Sequence, residues 1–476
     1  MTAETRPWPK TGLLRQPLFS DYLAPSASTL VVIDCRGARM NMAIKDRIHW
    51  AAGYGVSRAA LKLVARRGDA VAQLVIDNHR HANMYQLIEE IRQRGRLTAF
   101  PGAGLITADV EIVREVLRDN RFRTIKPADQ APSRVARWVL AKTNPKVLNA
   151  IQPPSMLVTD PPEHARLRRL VSRAFTPRAL EALRDRVQQI VNDLLDGLAG
   201  AIECDLVAAY ASRVPVEVIA EMLGIPTAET AQLDEVGQDS TRLLSSAAPG
   251  WRDFQASINT AREFEHYLAM HVDRLRQRGD DESILAAVLQ DGDLTEYEVR
   301  LFAALLLGAG FITTTHVMGK AIVTLLQHPD QLDRLRTNPE GWPNAVEEML
   351  RYETAVQWGV RVATEALDLD GYPVAAGQAI LLLLGGANRD PAVFERPGEF
   401  DITRANAREH VSFGSGIHVC LGATLARMEL HIGLQSLFAR FPDLVLAGEP
   451  TWNDSMALHG LKHLPVRLRP TAAMAS

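Results

Sequence analysis

HVSFGSGIHVCLGATLAR, residues 410–427, decides how this chain is read. One of only three cysteines in 476 residues stands there, Cys420, between glycines and just ahead of a helical pattern. The readings of that thiol differ in kind. A free cysteine is among the most buried residue types, so a structural thiol is the plainest of them. A zinc site lacks a second Cys or a paired His at ligand spacing. A nucleophilic thiol would have His418 close by and the helix LGATLARMELHIGLQSLF behind it.

The loop itself favours a ligand. Gly414, Gly416 and Gly422 remove side chains on both sides of the sulfur, so a flat, bulky group can approach the backbone closely. The helix after Cys420 turns its N–H groups and positive dipole end towards the sulfur, which favours thiolate over thiol. A thiolate in such a loop, with Phe413 beside it, suits axial ligation of haem iron.

FGSGIHVCLG resembles the cysteine-ligand loop of the cytochrome P-450 haem-thiolate family, Phe-Gly-x-Gly-x-His/Arg-x-Cys-x-Gly. Phe413, Gly414, Gly416, His418, Cys420 and Gly422 meet its fixed positions. The resemblance covers about residues 80–470, and a weaker one from Met42 through KDRIHWAAGYGVSRAALKLVARRGD is to actinobacterial members. It implies a mainly α fold with a small β region, and haem b (iron protoporphyrin IX) bound with Cys420 as axial ligand and Phe413, Gly414 and Gly422 around it. DPPEHARLRRLVSRAFTPR matches the family's helix at the haem edge. Its His164 and Arg168 share one helix face, and with Arg361 and His418 they are the implied partners of the haem propionates. Glu348 and Arg351 in EEMLR, with Arg404, match a buried structural triad, although the pair alone would read as an exposed helical ion pair. Asn388, Arg389 and Asp390 fall in a structural segment of the family.

One position departs from the pattern. GAGFITTTHVMG stands where the family's oxygen-binding helix belongs, and Ala309, Gly310 and Thr313 match it, but the acidic position holds Ile312. In the family that acid relays protons, and isoleucine carries none. Either water and the hydroxyls of Thr314 and Thr315 replace the relay, or dioxygen activation is slow and leaky. The resemblance therefore implies a monooxygenase placing one oxygen atom of dioxygen into an apolar small molecule. The alternatives are a non-hydroxylating oxidase (coupling or desaturation), a peroxygenase, or a haem-based ligand sensor. Pocket walls are expected from about Lys126 to Ser155, SSAAPGWRDF, Leu306 to Thr313, VQWGV with Trp358, and the hairpin around Met456 to His459, where His459 reads equally as an exposed loop residue. No flavin or iron–sulfur segment is visible, so electrons are expected from a ferredoxin and its reductase, steered by Arg166, Arg169 and Arg173.

Composition narrows the setting. A hydrophobic fraction of 47% is that of a globular protein, and a net charge of −3 offers no basic excess for nucleic acid. Scattered cysteines and the lack of a secretory signal point to the cytoplasm. LFAALLLGAGFITTTHVMG reads as a buried core helix and not a transmembrane one. Ala51–Arg67, with Arg58, Lys62, Arg66 and Arg67, reads as a solvated helix face more readily than as a peripheral membrane contact. Residues 1–41 read as a tail, and 42–476 as one domain with a helical extension to about residue 80. Within it, LTAFPGAGLITAD and LDLDGYPV predict hairpins. Asp109 and Thr295–Glu298 predict helix starts, and Leu180, Leu183, Val187, Ile190, Leu194 and Leu198 a buried stripe.

Overall fold

The computed structural model describes residues 35–76, 83–100, 104–126, 129, 133–150, 152–172, 175–233, 236, 249–279, 283–453, 455 and 457–468. Helices α1 (Cys35–Trp50) and α2 (Val56–Arg66) form one continuous helix through a π turn at Ala51–Gly55. Next come α3 (Ala70–Ile76) and α4 (Met84–Gln93). LTAFPGAGLIT makes the expected hairpin, β1 (Thr98–Phe100) against β2 (Gly104–Thr107). Helix α5 (Val110–Arg118) starts where the Asp109 carboxylate accepts from the Ile112 N–H at 2.9 Å, and it buries Val110, Val113, Val116 and Leu117. Then follow β3 (Phe122–Thr124), α6 (Arg134–Thr143) and α7 (Glu163–Ser172).

The second half of the chain is helical around one core. Helix α8 (Pro177–Leu198) opens on Pro177 behind a Thr176 cap. Its buried line runs through Leu180, Val187, Ile190, Val191, Leu195 and Leu198. Leu183 and Leu194, expected on that line, are only half-buried, packed at the margin of the same core. Strand β4 (Glu203–Asp205) leads to α9 (Arg213–Leu223), α10 (Trp251–Arg278) and α11 (Ile284–Asp291). Thr295 and Glu298 form the expected reciprocal capping box at the head of α12 (Glu296–Leu305). A π turn, Leu306–Phe311, carries it into α13 (Ile312–Gln327). This helix is long and apolar enough to cross a membrane, but 83% of its most apolar window is buried in the protein, as the sequence reading of a core helix requires.

Helices α14 (Pro329–Thr337) and α15 (Trp342–Tyr352) follow. On α15, Glu348 and Arg351 are both fully buried, with two contacts of 2.7 Å, and Arg404 Nε reaches both Glu348 oxygens at 3.2 Å. The chain then completes a sheet of order β1-β2-β8-β5-β3, with β5 as Trp358–Ala363 and β8 as Ala379–Leu383. The LDLDGYPV hairpin, β6 (Leu367–Leu369) and β7 (Tyr372–Val374), turns at Asp370 and Gly371, whose φ of 53° and 82° are the left-handed values its two-residue turn demands. After α16 (Leu384–Ala387), the side chain of Asn388 bonds Ser412 and the Val411 N–H, and Asp390 accepts from the Val110 N–H. Those contacts fasten the cysteine loop to the sheet domain. The last helix, α17 (Ala423–Arg440), packs on α8, α13 and α15. Short strands β9 (Val445–Leu446), β10 (Thr451–Trp452), β11 (Leu461–His463) and β12 (Pro465–Arg467) end the described chain. The result is mainly α with a small β region.

Candidate active site

The cysteine loop is held by its own backbone. Gly414 N–H donates to Val411 O, Val419 N–H to Gly416 O, and Cys420 N–H to Phe413 O at 2.9 Å. Gly414 and Gly416 have φ of 68° and 70°. Gly416 proves to serve packing and not access to the sulfur, since a Cβ there would lie 2.2 Å from Leu117 O of α5. Gly422 is open: a Cβ on it meets no described atom within 4 Å, leaving a cradle beside Cys420. The Phe413 ring is half-buried under the Arg427 guanidinium at 4.6 Å, and Arg427 is held by Glu347.

Cys420 is exposed to a solvent probe although protein surrounds it, the mark of a group on the wall of an internal hollow. Burial pushes its thiol up, against the Gly422 N–H and the charges of Arg168 and Arg427. The helix end named in the sequence reading therefore acts in the expected direction without prevailing. It takes a bound cation to make this sulfur a thiolate.

The residues at the haem edge converge although three separate segments supply them. His164 and Arg168 come from α7, Arg361 from β5 and His418 from the loop. The His164 and His418 rings lie 4.2 Å apart. Burial, then the charges of Arg361 and His164, hold His418 down to about 3, so it is neutral at ordinary pH. Burial lowers His164 and Arg361 as well, and lowers Arg168 against the pull of Cys420. His164 Nε2 and His418 Nε2 are both buried without a hydrogen-bond partner among the described residues. Two orphaned imidazole nitrogens beside two guanidiniums and a lone thiol fit a cofactor carrying carboxylates and a metal. The donor set thus fits haem.

Across from the loop, Leu301–Leu325 is buried throughout except at Gly308, Ala309, Gly310 and Thr313. Those four are half-buried; a Cβ on Gly308 would meet no described atom within 4 Å, whereas one on Gly310 would lie 3.1 Å from Ile219. The π turn frees backbone carbonyls that side chains then occupy: Thr313 Oγ1 donates to Ala309 O at 2.9 Å, and Thr314 Oγ1 to Gly310 O at 3.2 Å. Ile312 points into the main core, 3% exposed. An acid is nonetheless present. Glu429, from α17, is 2% exposed, hydrogen-bonds Thr314, and leaves Oε1 without a partner among the described residues. Burial pushes its carboxyl up to about 8, with Thr314 opposing. Sequence reasoning missed it; the one signal was a lone Glu among Met428, Leu430, Ile432 and Leu434.

Other expectations fare unevenly. Arg166 is tied to Glu163 and Glu298, Arg169 is exposed, and Arg173 lies outside the described residues, as do Met456 and residues 245–248 of the expected pocket wall. His459 is buried and stacked on Trp452 at 4.6 Å, so it is not the exposed loop residue it was equally read as. Trp358 is half-buried against a small cluster with Tyr85 and Leu381.

The family model described as "Cytochrome P450" matches residues 343–461. "Putative cytochrome P450 140" of Mycobacterium tuberculosis is 38% identical over 442 residues, 91% of this chain and 100% of that protein. "6-deoxyerythronolide B hydroxylase" of Saccharopolyspora erythraea is 36% identical over 401 residues, 82% of this chain and 96% of its own. Among solved structures, P450BioI in complex with hexadec-9Z-enoic acid ligated acyl carrier protein superposes with a TM-score of 0.75. Its identity is 33%, covering 82% of this chain and 99% of that one.

Proposed function

The chain belongs to the cytochrome P450 family of haem b monooxygenases, and from that premise we propose the roles of its residues. Cys420 would hold the haem iron, cradled by Phe413, Gly414 and Gly422. His164, Arg168, Arg361 and His418 hold the propionates, and Thr313 with Ala309 and Gly310 forms the oxygen-activating side. The observation that carries this reading is the pair of buried, partnerless nitrogens on His164 and His418 beside two arginines. The substrate is an apolar small molecule, and the electrons come from a ferredoxin and its reductase in the cytoplasm. Arg169 is the exposed cation available for docking, since acids neutralise Arg166. Residues 42–476 act as one domain behind a tail.

When bound, the haem supplies the iron that takes dioxygen and the redox chemistry of its activation. The chain's residues do the rest. Neutral His418 and His164 would donate to the propionates, and the Arg168 and Arg361 charges would balance them. Buried side chains on α9 and α13, Ile219 and Ile312 among them, keep that side dry. Ile312 moves no proton. Glu429, still protonated at neutral pH, holds one at its carboxyl against Thr314 Oγ1, one residue from Thr313. We assign to it the donor role that the apolar position 312 vacates.

Glu429→Gln is accordingly expected to slow turnover about a hundredfold and to raise peroxide release. The fall in native activity above about pH 8 should vanish in the variant. Stability gives a second readout. The folded pKa lies above the ordinary 4.5, so the unfolded chain loses this proton first. The native fold is therefore penalised increasingly as pH rises from 4.5 to about 8, and fully above it. The stability gap between the variant and the native chain should widen over that window by up to roughly 5 kcal/mol. Equal pH profiles would remove Glu429 from the proton path.

The function is tested by absorption titration of the haem-loaded protein with fatty acids, terpenoids, steroids and macrolides, followed by turnover under labelled dioxygen. A saturable spin-state shift and one labelled oxygen atom in the product are expected. An unlabelled product from the same compound would identify an oxidase instead, the outcome that a poorly fed proton path at Ile312 favours.

A further inference from the structure

Helix α1 is built inside out. Among its described side chains the buried ones are polar: Asp46 accepts from Arg262 Nη2 of α10 at 2.9 Å, and His49 Nδ1 meets Thr143 Oγ1 of α6 at 3.2 Å. Met42, Ile44 and Ile48 face outwards instead, 42%, 51% and 45% exposed, while Trp50 at the helix end packs on Phe254 and Ile258. An ordinary surface helix does the reverse. The pattern continues on α2, where Val56 and Leu63 are exposed, with Ala59 and Ala60 between them.

The π turn at Ala51–Gly55 makes these one surface. Its extra residue sets the phase back by about 100°, so the step from Ile48 to Val56 spans close to two whole turns. Ile44, Ile48, Val56, Ala60 and Leu63 then fall along one line about 28 Å long. Helix α6 packs beside α1 and the π turn, with Leu140 against Gly53. It too buries no side chain, and it exposes Val135 and Trp138.

The charge around this line has one sign. Lys45, Arg47, Lys62, Arg66 and Arg67 on the long helix are exposed, as are Arg134, Arg137 and Lys142 on α6. Among residues 42–68 and 133–144 the sole acid is Asp46, which is buried against Arg262. The whole chain carries −3, so this excess is local. A long apolar line, an outward tryptophan and basic residues on its flanks are the chemistry that lies flat on an anionic bilayer, with chains in the acyl boundary and cations at the headgroups.

We propose that α1, α2 and α6 form a docking face for an anionic lipid surface. The occupant is lipid and not an acidic protein because the apolar line is continuous and far longer than a pocket needs. The face includes α6, and α1 is clamped to α10, so a docked molecule holds the expected pocket wall of residues 126–155 against the bilayer. An apolar substrate dissolved in lipid would then reach that wall without crossing water.

The test is sedimentation of the full haem-loaded chain with vesicles of phosphatidylcholine, pure or containing phosphatidylglycerol. The expected result is binding to the anionic vesicles alone, weakened by salt. Lys62→Glu, Arg66→Glu and Arg67→Glu together should weaken it roughly a hundredfold. Ile48→Asn with Leu63→Asn should abolish it while far-UV circular dichroism and haem content stay unchanged. Three results would overturn the proposal: no binding, equal binding to neutral vesicles, or binding indifferent to both variants. Retention on an immobilised acidic protein without vesicle binding would likewise overturn it and give the face to a protein.

Discussion

Cys420→Ser is expected to lose oxygenated product by a factor of about a thousand or more while remaining folded. A serine hydroxyl cannot ionise at neutral pH, so the electron-rich ligand is lost even where the oxygen reaches the metal. The fold should survive because the loop is held by backbone bonds, from Gly414 to Val411 and from Cys420 to Phe413, and by Arg118 Nε on Ser415 Oγ. The sulfur itself faces the hollow. Visible absorption, haem content and product formation check this together. Activity within tenfold of the native protein would mean that some other residue holds the iron.

The second large effect is on stability. Arg351→Ala is expected to cost about 3–5 kcal/mol, enough to leave little folded protein at 37 °C. Arg351 is fully buried and satisfies both Glu348 oxygens, with further bonds to the carbonyls of Asn388, Pro397 and Glu399. Its removal strands the Asn388 and Pro397 carbonyls and leaves Arg404, with the Asp401 N–H, to answer the Glu348 charge. The Asn388 contact lies one step from the cysteine loop, so cofactor retention should fail with the fold. Urea unfolding of the haem-loaded protein measures the loss, and Arg351→Lys should fall between. A loss below about 1 kcal/mol would show the triad to be no keystone.

What could be read from sequence was local. Caps, hairpins and the cysteine loop depend on a few neighbouring residues, so Asp109, Thr295 with Glu298, and Asp370-Gly371 could be placed before any fold was known. The haem-edge set spans 254 positions from His164 to His418, and only resemblance to a family could collect it. Tertiary packing decided what stayed hidden. Glu429 had only its apolar neighbours to mark it in sequence; it is buried because α17 lies on α13. Similarly, Ile44 and Ile48 look like core residues until Asp46 and His49 are seen to take the inward face. The π turns at Ala51–Gly55 and Leu306–Phe311 carry no mark of their own either. Gly416 looked like room for a cofactor and is room for α5.

Iron K-edge X-ray absorption of the haem-loaded protein tests the central claim most directly. The account predicts one sulfur neighbour in the first coordination shell of the iron, present in the native chain and absent in Cys420→Ser. A first shell of nitrogen and oxygen alone in the native chain, or a sulfur that persists in the variant, would contradict it.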